Sequence, residues 1–229
     1  MFKHIPVDIE QLKRKNTEEG RRYITPSGVL YPSITTILSH KSKPFIDAWK
    51  KRVGEKEANK ITRQATSRGT SIHKLVEYHL NNDLLKEQEG EETLNILNKE
   101  MYLNLKGLLS KIDNIRCLEQ NLYSDHLRLA GQVDCIAEYE GELAIIDFKT
   151  SAKPKPREWI DHYFVQCMAY GCMLYELTGI SVKKLVIIMA CENGECVVYE
   201  EYNKAKYIKL LGEYINKFIQ DKLELYGTE

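Results

Sequence analysis

The sequence predicts an α/β (α+β) fold, in which a central mixed β-sheet is flanked by helices and a helical N-terminal region packs on it. Three observations lead there: a helix-favouring first half, a strand-rich texture that sets in near Ile115, and one helix placed between two groups of strands. The 229 residues, 43% of them apolar, suffice to bury a core and exclude disorder as the main state.

Residues 1–22 read as an N-terminal extension, and 23–229 as a single domain. That domain divides into a helical part over 32–111, a sheet core over 115–202 and a C-terminal helix over 203–225. Residues 23–31 form two extended pieces around the turn signal Pro26-Ser27-Gly28, and Pro32-Ser33 opens a helix. Residues 45–80 favour helix almost throughout, punctuated by Gly54 and Gly69 and carrying Lys50, Lys51, Arg52, Lys56, Lys60, Arg63 and Arg68. The stretch 81–92 ends in EQEGEE and reads as a solvated connection. A helix over 93–111 follows, with Leu94, Leu97, Met101, Leu105 and Leu108 as its core stripe.

Strands are predicted over 115–124, 127–139 and 143–149, with Gly141 turning the last two into a hairpin. A helix over 158–178 closes at Gly179, strands over 182–191 and 195–202 turn at Asn193-Gly194, and Asn203 caps a final amphipathic helix.

The 33 basic and 33 acidic residues cancel, which excludes a coat that grips nucleic acid by bulk charge and leaves any anionic partner to a local basic patch. No apolar run approaches the length that spans a bilayer, so no membrane partner is expected. The first twenty residues lack the apolar core of a signal peptide and carry too many acids for a mitochondrial presequence, so a cytoplasmic location is expected. The six cysteines contain no C-x-x-C pair and read as reduced core residues. No G-x-x-x-x-G-K-[ST] string is present, which argues against an ATP-driven motor on this chain. Trp49 and Trp159 lie near basic residues, and packing is the expectation for both.

Chemistry concentrates in Gly131-Gln-Val-Asp134 and Ile145-Ile-Asp147-Phe-Lys149. Asp147 and Lys149 stand two apart on a strand and so share a face. Burying either costs several kcal/mol unless it is paired or bound to an ion, which leaves a functional site or a structural ion pair. The hairpin at Gly141 returns Asp134 towards Asp147. Two converging carboxylates beside a lysine suit a hard cation, Mg²⁺ or Mn²⁺.

Asp134…Asp147-Phe148-Lys149 resembles the D…(D/E)-x-K core of the PD-(D/E)xK nuclease superfamily. Gly69-Thr-Ser-Ile-His73 is similar to the G-x-x-x-H helix of its RecB-like branch, and Gln166-Cys-Met-Ala-Tyr170 to that branch's Q-x-x-x-Y helix. Glu119 matches an acid often seen ahead of the G-x-x-D strand. The strings Pro32-Ser-Ile-Thr-Thr-Ile-Leu38 and Asp147-Phe-Lys-Thr-Ser-Ala-Lys-Pro-Lys-Pro156 further resemble the branch's genome-maintenance exonucleases and their phage and bacterial relatives.

This resemblance implies a restriction-endonuclease-like core and a metal-dependent DNA exonuclease that hydrolyses phosphodiester bonds, on single-stranded DNA with a free end, in replication, repair or recombination. A structure-specific endonuclease and a non-catalytic DNA-binding or recombination-partner module are the alternatives. By resemblance, Lys149, Asp134, Asp147 and Gln166 form the catalytic set. His73, Asp134, Asp147 and the backbone carbonyl of Phe148 hold one or two Mg²⁺ or Mn²⁺, and Lys149 orients or deprotonates the attacking water. Tyr170, Thr150, Ser151, Arg68 and Lys153 are candidates for DNA contact, and Glu119 for the rim of the site. Some relatives build an iron–sulfur cluster from one early cysteine and a C-terminal trio; none precedes Cys117, so no cluster is expected. The partners implied are DNA and, beyond it, a helicase or another replication or recombination protein, in a bacterium or a phage-infected cell.

Overall fold

The structure, a computed structural model, describes residues 1–226, with side chains through 224. A five-stranded sheet forms the centre, in the order β4 (Ile112–Ser124), β5 (Leu129–Tyr139), β6 (Glu142–Ser151), β7 (Lys184–Cys191) and β8 (Cys196–Glu201). All neighbours are antiparallel except β6 and β7, whose parallel pairing requires the crossover made by α5 (Asp161–Thr178). The β5–β6 hairpin turns through Glu140 and Gly141, both at positive φ, the conformation whose twist suits a two-residue turn.

Two apolar layers cover the sheet, and strand alternation decides which residue joins which. Ile145, Ile187 and Met189 pack towards α5, α1 (Ile34–Val53) and α6 (Lys204–Tyr226). Ile146, Val186 and Ile188 pack on the other face against α2 (Glu55–Leu80) and α4 (Ile96–Leu109). Strand β7 is buried at every position, which explains its unbroken apolar run. The break between α1 and α2 falls at Gly54, whose φ of 91° ends one helix before the next begins. Among the described residues no helix is long and apolar enough to cross a membrane.

Residues 1–22, expected as an extension, are stitched into the fold. Ile5 N donates to Ile115 O at 2.8 Å along β4. Strand β1 (Lys13–Thr17) pairs with β2 (Gly20–Ile24), which pairs with β3 (Leu30–Pro32) in a second, three-stranded sheet.

The solvated connection expected over 81–92 is instead largely helix α3 (Leu84–Thr93). Asp83 caps it by accepting from Lys86 N, and Glu87, 4% exposed, turns inward. Its carboxylate receives Tyr102 Oη at 2.7 Å, Lys106 Nζ at 2.6 Å and a contact from His79 Nδ1 at 3.0 Å. One acid of the EQEGEE run thus belongs to a buried polar network that sequence alone does not expose. Leu97, assigned to the core stripe of the next helix, is exposed, and Asn98 and Tyr102 take the interior positions with Met101 and Leu105. Trp159 is 67% exposed, not packed.

Candidate active site

The sheet forks at the two predicted carboxylates. Pairing between β5 and β6 runs from Tyr139↔Glu142 to Cys135↔Ile146 and stops. Beyond that point β5 stays with β4, as far as Ser124↔Leu129, and β6 stays with β7, as far as Ser151↔Cys191. The next pair in the interrupted register is Asp134 and Asp147, so the carboxylates sit at the crotch of the fork.

A fork leaves backbone groups without sheet partners, and site residues take them up. Phe148 N donates to Asp134 Oδ2 at 2.9 Å. Phe148 O accepts from His73 Nε2, which reaches over from α2, at 2.8 Å. A carbonyl only accepts, so Nε2 carries the proton, and on the neutral ring Nδ1 is an acceptor. That Nδ1 lies 3.6 Å from Asp134 Oδ2, two acceptors facing one another across a gap that suits a cation.

Asp147 is 1% exposed, and neither of its oxygens receives a well-directed hydrogen bond from the described residues. Its partner is the Lys149 ammonium, in direct contact with Oδ2. Burial pushes the Asp147 carboxyl up, while Lys149 pulls it down. The same burial works against charge on Lys149, but the attraction of Asp147 and Asp134 outweighs it and raises that ammonium's pKa.

Glu119, expected on the rim, is drawn into the centre. Its φ of +49° is unusual for a strand residue, and it stands where β4 and β5 leave a gap between the pairs Leu118↔Cys135 and Gln120↔Val133. Alternation on β5 breaks there too: Val133 packs on the α5 side, but Cys135, two residues on, packs opposite. One ligand atom each from His73, Glu119 and Asp134 lie within 4.8 Å of one another. Burial, then the charges of Asp134 and Glu77, push the Glu119 carboxyl up to about 8. A carboxyl so crowded by acids is the counterpart of a missing positive charge.

Gln166 and Tyr170 come from α5, one turn apart, with Gln166 Nε2 3.4 Å from Tyr170 Oη. Tyr170 is buried against Gly131, where an added Cβ would meet its Cε1 at 2.8 Å and Ile34 Cγ2 at 3.1 Å. The G-x-x-D glycine is therefore a space requirement. Gly131→Ala is expected to cost about 1–3 kcal/mol by overpacking, read as a lower urea midpoint.

The cavity at the fork, of about 490 Å³, is lined by His73, Glu119, Asp134, Lys149, Gln166 and Tyr170, among others. Arg68, Thr150, Ser151 and Lys153 fall outside that lining. Arg68 is committed to an ion pair with Glu192 at the end of β7. Ser151 is buried, Lys153 is exposed, and Thr150 Oγ1 sits 3.7 Å from where a Cβ on Gly69 would stand, so Gly69 lets α2 approach β6. The lining also includes Arg14 and Arg21 of the β1–β2 hairpin, which sequence reading left in the extension.

A family model described as the PD-(D/E)XK nuclease superfamily matches residues 48–221. The chain is 30% identical over 177 residues to mitochondrial genome maintenance exonuclease 1 of Homo sapiens, covering 71% of this chain and 50% of that protein. It is 34% identical over 137 residues to the Mus musculus protein of that name, covering 55% and 38%. An ATP-dependent helicase/nuclease of Clostridium botulinum is 25% identical over 103 residues, 43% of this chain and 8% of that protein. The chain therefore spans half or less of the length of these relatives. The matched span contains α2, the whole forked sheet and α5, and with them every residue brought to the fork except those of the N-terminal hairpin; the chain belongs to the PD-(D/E)XK nuclease superfamily.

Proposed function

We propose that this protein is a metal-dependent exonuclease that hydrolyses phosphodiester bonds of single-stranded DNA from a free end. The observation that carries the metal-dependent reading is the fork, which gathers His73, Glu119, Asp134 and Asp147 beside one buried ammonium.

The donor set fits a hard divalent cation. It offers three carboxylates and one imidazole, Asp147 has buried oxygens without well-directed hydrogen bonds from the described residues, and the pKa of Glu119 is high without added positive charge. His73, Asp134 and Asp147, with Glu119, are the residues to hold one or two Mg²⁺ or Mn²⁺. Phe148 O, already accepting from His73, has its second lone pair to offer. When bound, such an ion supplies Lewis-acid stabilisation of the phosphate and a lowered pKa for water.

The chain's own groups do the rest. Lys149 donates a hydrogen bond that orients the attacking water and offsets charge gathering on the phosphate. Gln166 lines the fork cavity and offers its amide to the water or the phosphate. Tyr170, packed against Gly131, fixes the helix that carries Gln166.

A single unpaired strand is favoured by a second cavity, of about 370 Å³, which shares Thr35 and Gln166 with the first. Leu38, Phe45, Tyr163 and Tyr214 line it, and Phe45 is 76% exposed. Lys155 Nζ donates to Tyr163 Oη at 2.7 Å and steadies that ring. Aromatic faces next to a phosphate site suit an unstacked base. Thr150, Ser151 and Lys153, beyond the fork on the run that follows β6, are placed to meet the strand further on, with Arg68 bracing α2 against β7. The helicase/nuclease relative makes a helicase the first partner to test.

The test is digestion of a single-stranded oligonucleotide labelled at either end, with Mg²⁺, Mn²⁺ or EDTA, alongside a closed single-stranded circle. Metal-dependent shortening of the linear strand, with the circle resistant, is expected. Cutting of the circle would make the enzyme an endonuclease, and binding without cutting would make it a non-catalytic module.

A further inference from the structure

The β1–β2 hairpin carries five basic side chains, and its register sorts them. Arg14 stands opposite Tyr23, and Arg21 opposite Asn16, which puts Arg14, Arg21 and Tyr23 on one face; Lys15 stands opposite Arg22 on the other, with Lys13. Arg14 and Arg21 line the fork cavity, and Lys13, Lys15 and Arg22 do not.

These two arginines have no carboxylate partner within ion-pair distance among the described residues. The cavity's third lysine or arginine outside the catalytic set, Lys74, is already paired with Glu77 at 2.8 Å. Tyr23, buried beneath them, has a hydroxyl without a well-directed partner among the described residues. Two exposed guanidinium groups, set across a cavity from a carboxylate cluster, are complementary to an anion that also touches that cluster.

The hairpin is also held in place. Arg21 O accepts from Ser33 N at 2.9 Å and from Thr36 Oγ1 at 3.2 Å, which ties the strand to the start of α1. A Cβ on Gly20 would lie 2.7 Å from Thr36 Oγ1, so only glycine permits this approach. At the hairpin's turn, Glu19 pairs with Lys222 of α6 at 2.8 Å. A hairpin anchored to two helices presents its arginines at a fixed distance from the carboxylates, unlike a loose basic tail.

We propose that Arg14 and Arg21 form a phosphate subsite that grips the phosphodiester next to the one hydrolysed, making the N-terminal hairpin a strand-positioning element. The proposal rests on the nuclease reading above for its substrate, and places the arginines outside the catalytic set. Each Arg–phosphate contact releases counterions from the strand, so its removal must flatten the salt dependence of binding.

The experiment measures binding of a fluorescent single-stranded oligonucleotide, without metal, over a range of salt. The proteins are wild type, Arg14→Gln/Arg21→Gln, and Lys13→Gln/Lys15→Gln from the opposite hairpin face. For Arg14→Gln/Arg21→Gln the expected result is an affinity roughly tenfold or more lower and a log–log salt slope shallower by roughly 1.4, about 0.7 for each lost contact on a single strand. KM for cleavage should rise far more than kcat falls, with stabilisation by Mn²⁺ unchanged. The lysine variant should leave the slope near that of wild type. An unchanged slope for the arginine variant, or an equal loss for both variants, overturns the subsite. Cleavage by wild type is scored separately: binding without cleavage removes the nuclease reading while the slope still decides the subsite, and absence of binding overturns both.

Discussion

Lys149→Ala is expected to lower the rate of cleavage at least roughly 10²–10³-fold and, without divalent cation, to lose stability as pH rises. Both effects follow from one contact, the Lys149 ammonium on the buried Asp147 carboxylate. Removing the lysine strands a charge that the interior does not solvate. Breaking such a pair from one side costs about 3–5 kcal/mol when the remaining group stays ionised.

Asp147 escapes that cost by taking up a proton, which gives the effect its direction. Burial already raises its pKa, and loss of Lys149 raises it further. The folded variant then holds a proton that the unfolded chain releases, so stability falls between the unfolded and the folded pKa. Below the unfolded value the variant should differ little through this group, and above the folded value the loss is complete. Urea unfolding in EDTA from pH 5 to pH 9 reads the slope, and Asp147→Asn added to the variant should remove most of it. A folded Lys149→Ala protein with wild-type cleavage would end the catalytic assignment. A pH profile equal to that of wild type would show that Asp147 does not depend on the lysine.

Legibility divides along the range of the interactions involved. Asp147 and Lys149 were readable because a strand repeats every two residues, and Asp134 because a glycine turn fixes a register. His73 and Gln166 lie on helices that pack against opposite faces of the sheet, and only the ordered motifs of a known family tied them to the strands. Other features depend on neighbours that sequence does not reveal. Arg68 looks like a free cation until Glu192, 124 residues away, is seen beside it. Lys13–Thr17 has no apolar alternation, because this strand earns its place through pairing with β2 and not through a buried face. Glu119 reads as a solvated strand residue or a rim acid, and its central position comes from a left-handed backbone and a break in alternation shared with β5.

That position carries the second large effect: the metal-free protein is expected to lose stability as pH rises from about 4.5 to about 8, and Mg²⁺ or Mn²⁺ to restore it. Glu119 ordinarily titrates at 4.5, and burial, reinforced by Asp134 and Glu77, holds it near about 8 in the folded state. Across that window the native chain binds the extra proton, so the slope of stability against pH is negative; it flattens above the folded value. Asp147, also raised, adds to the slope in the same direction. Glu119→Gln keeps the shape without the charge, and without metal at pH 8 it should exceed wild type in stability by on the order of 2 kcal/mol, after allowance for partial solvation. The same substitution removes a ligand, so the roughly 2.7 kcal/mol that a cation at a hundred times its Kd gives wild type should shrink. Thermal unfolding of both proteins in EDTA and in Mn²⁺ at pH 5, 6.5 and 8 decides the matter. Full Mn²⁺ stabilisation in Glu119→Gln would place the ion on His73, Asp134 and Asp147 without Glu119. Stability that rises through the window would mean that the fork holds its carboxylates ionised, and that the cluster is compensated by groups other than a cation.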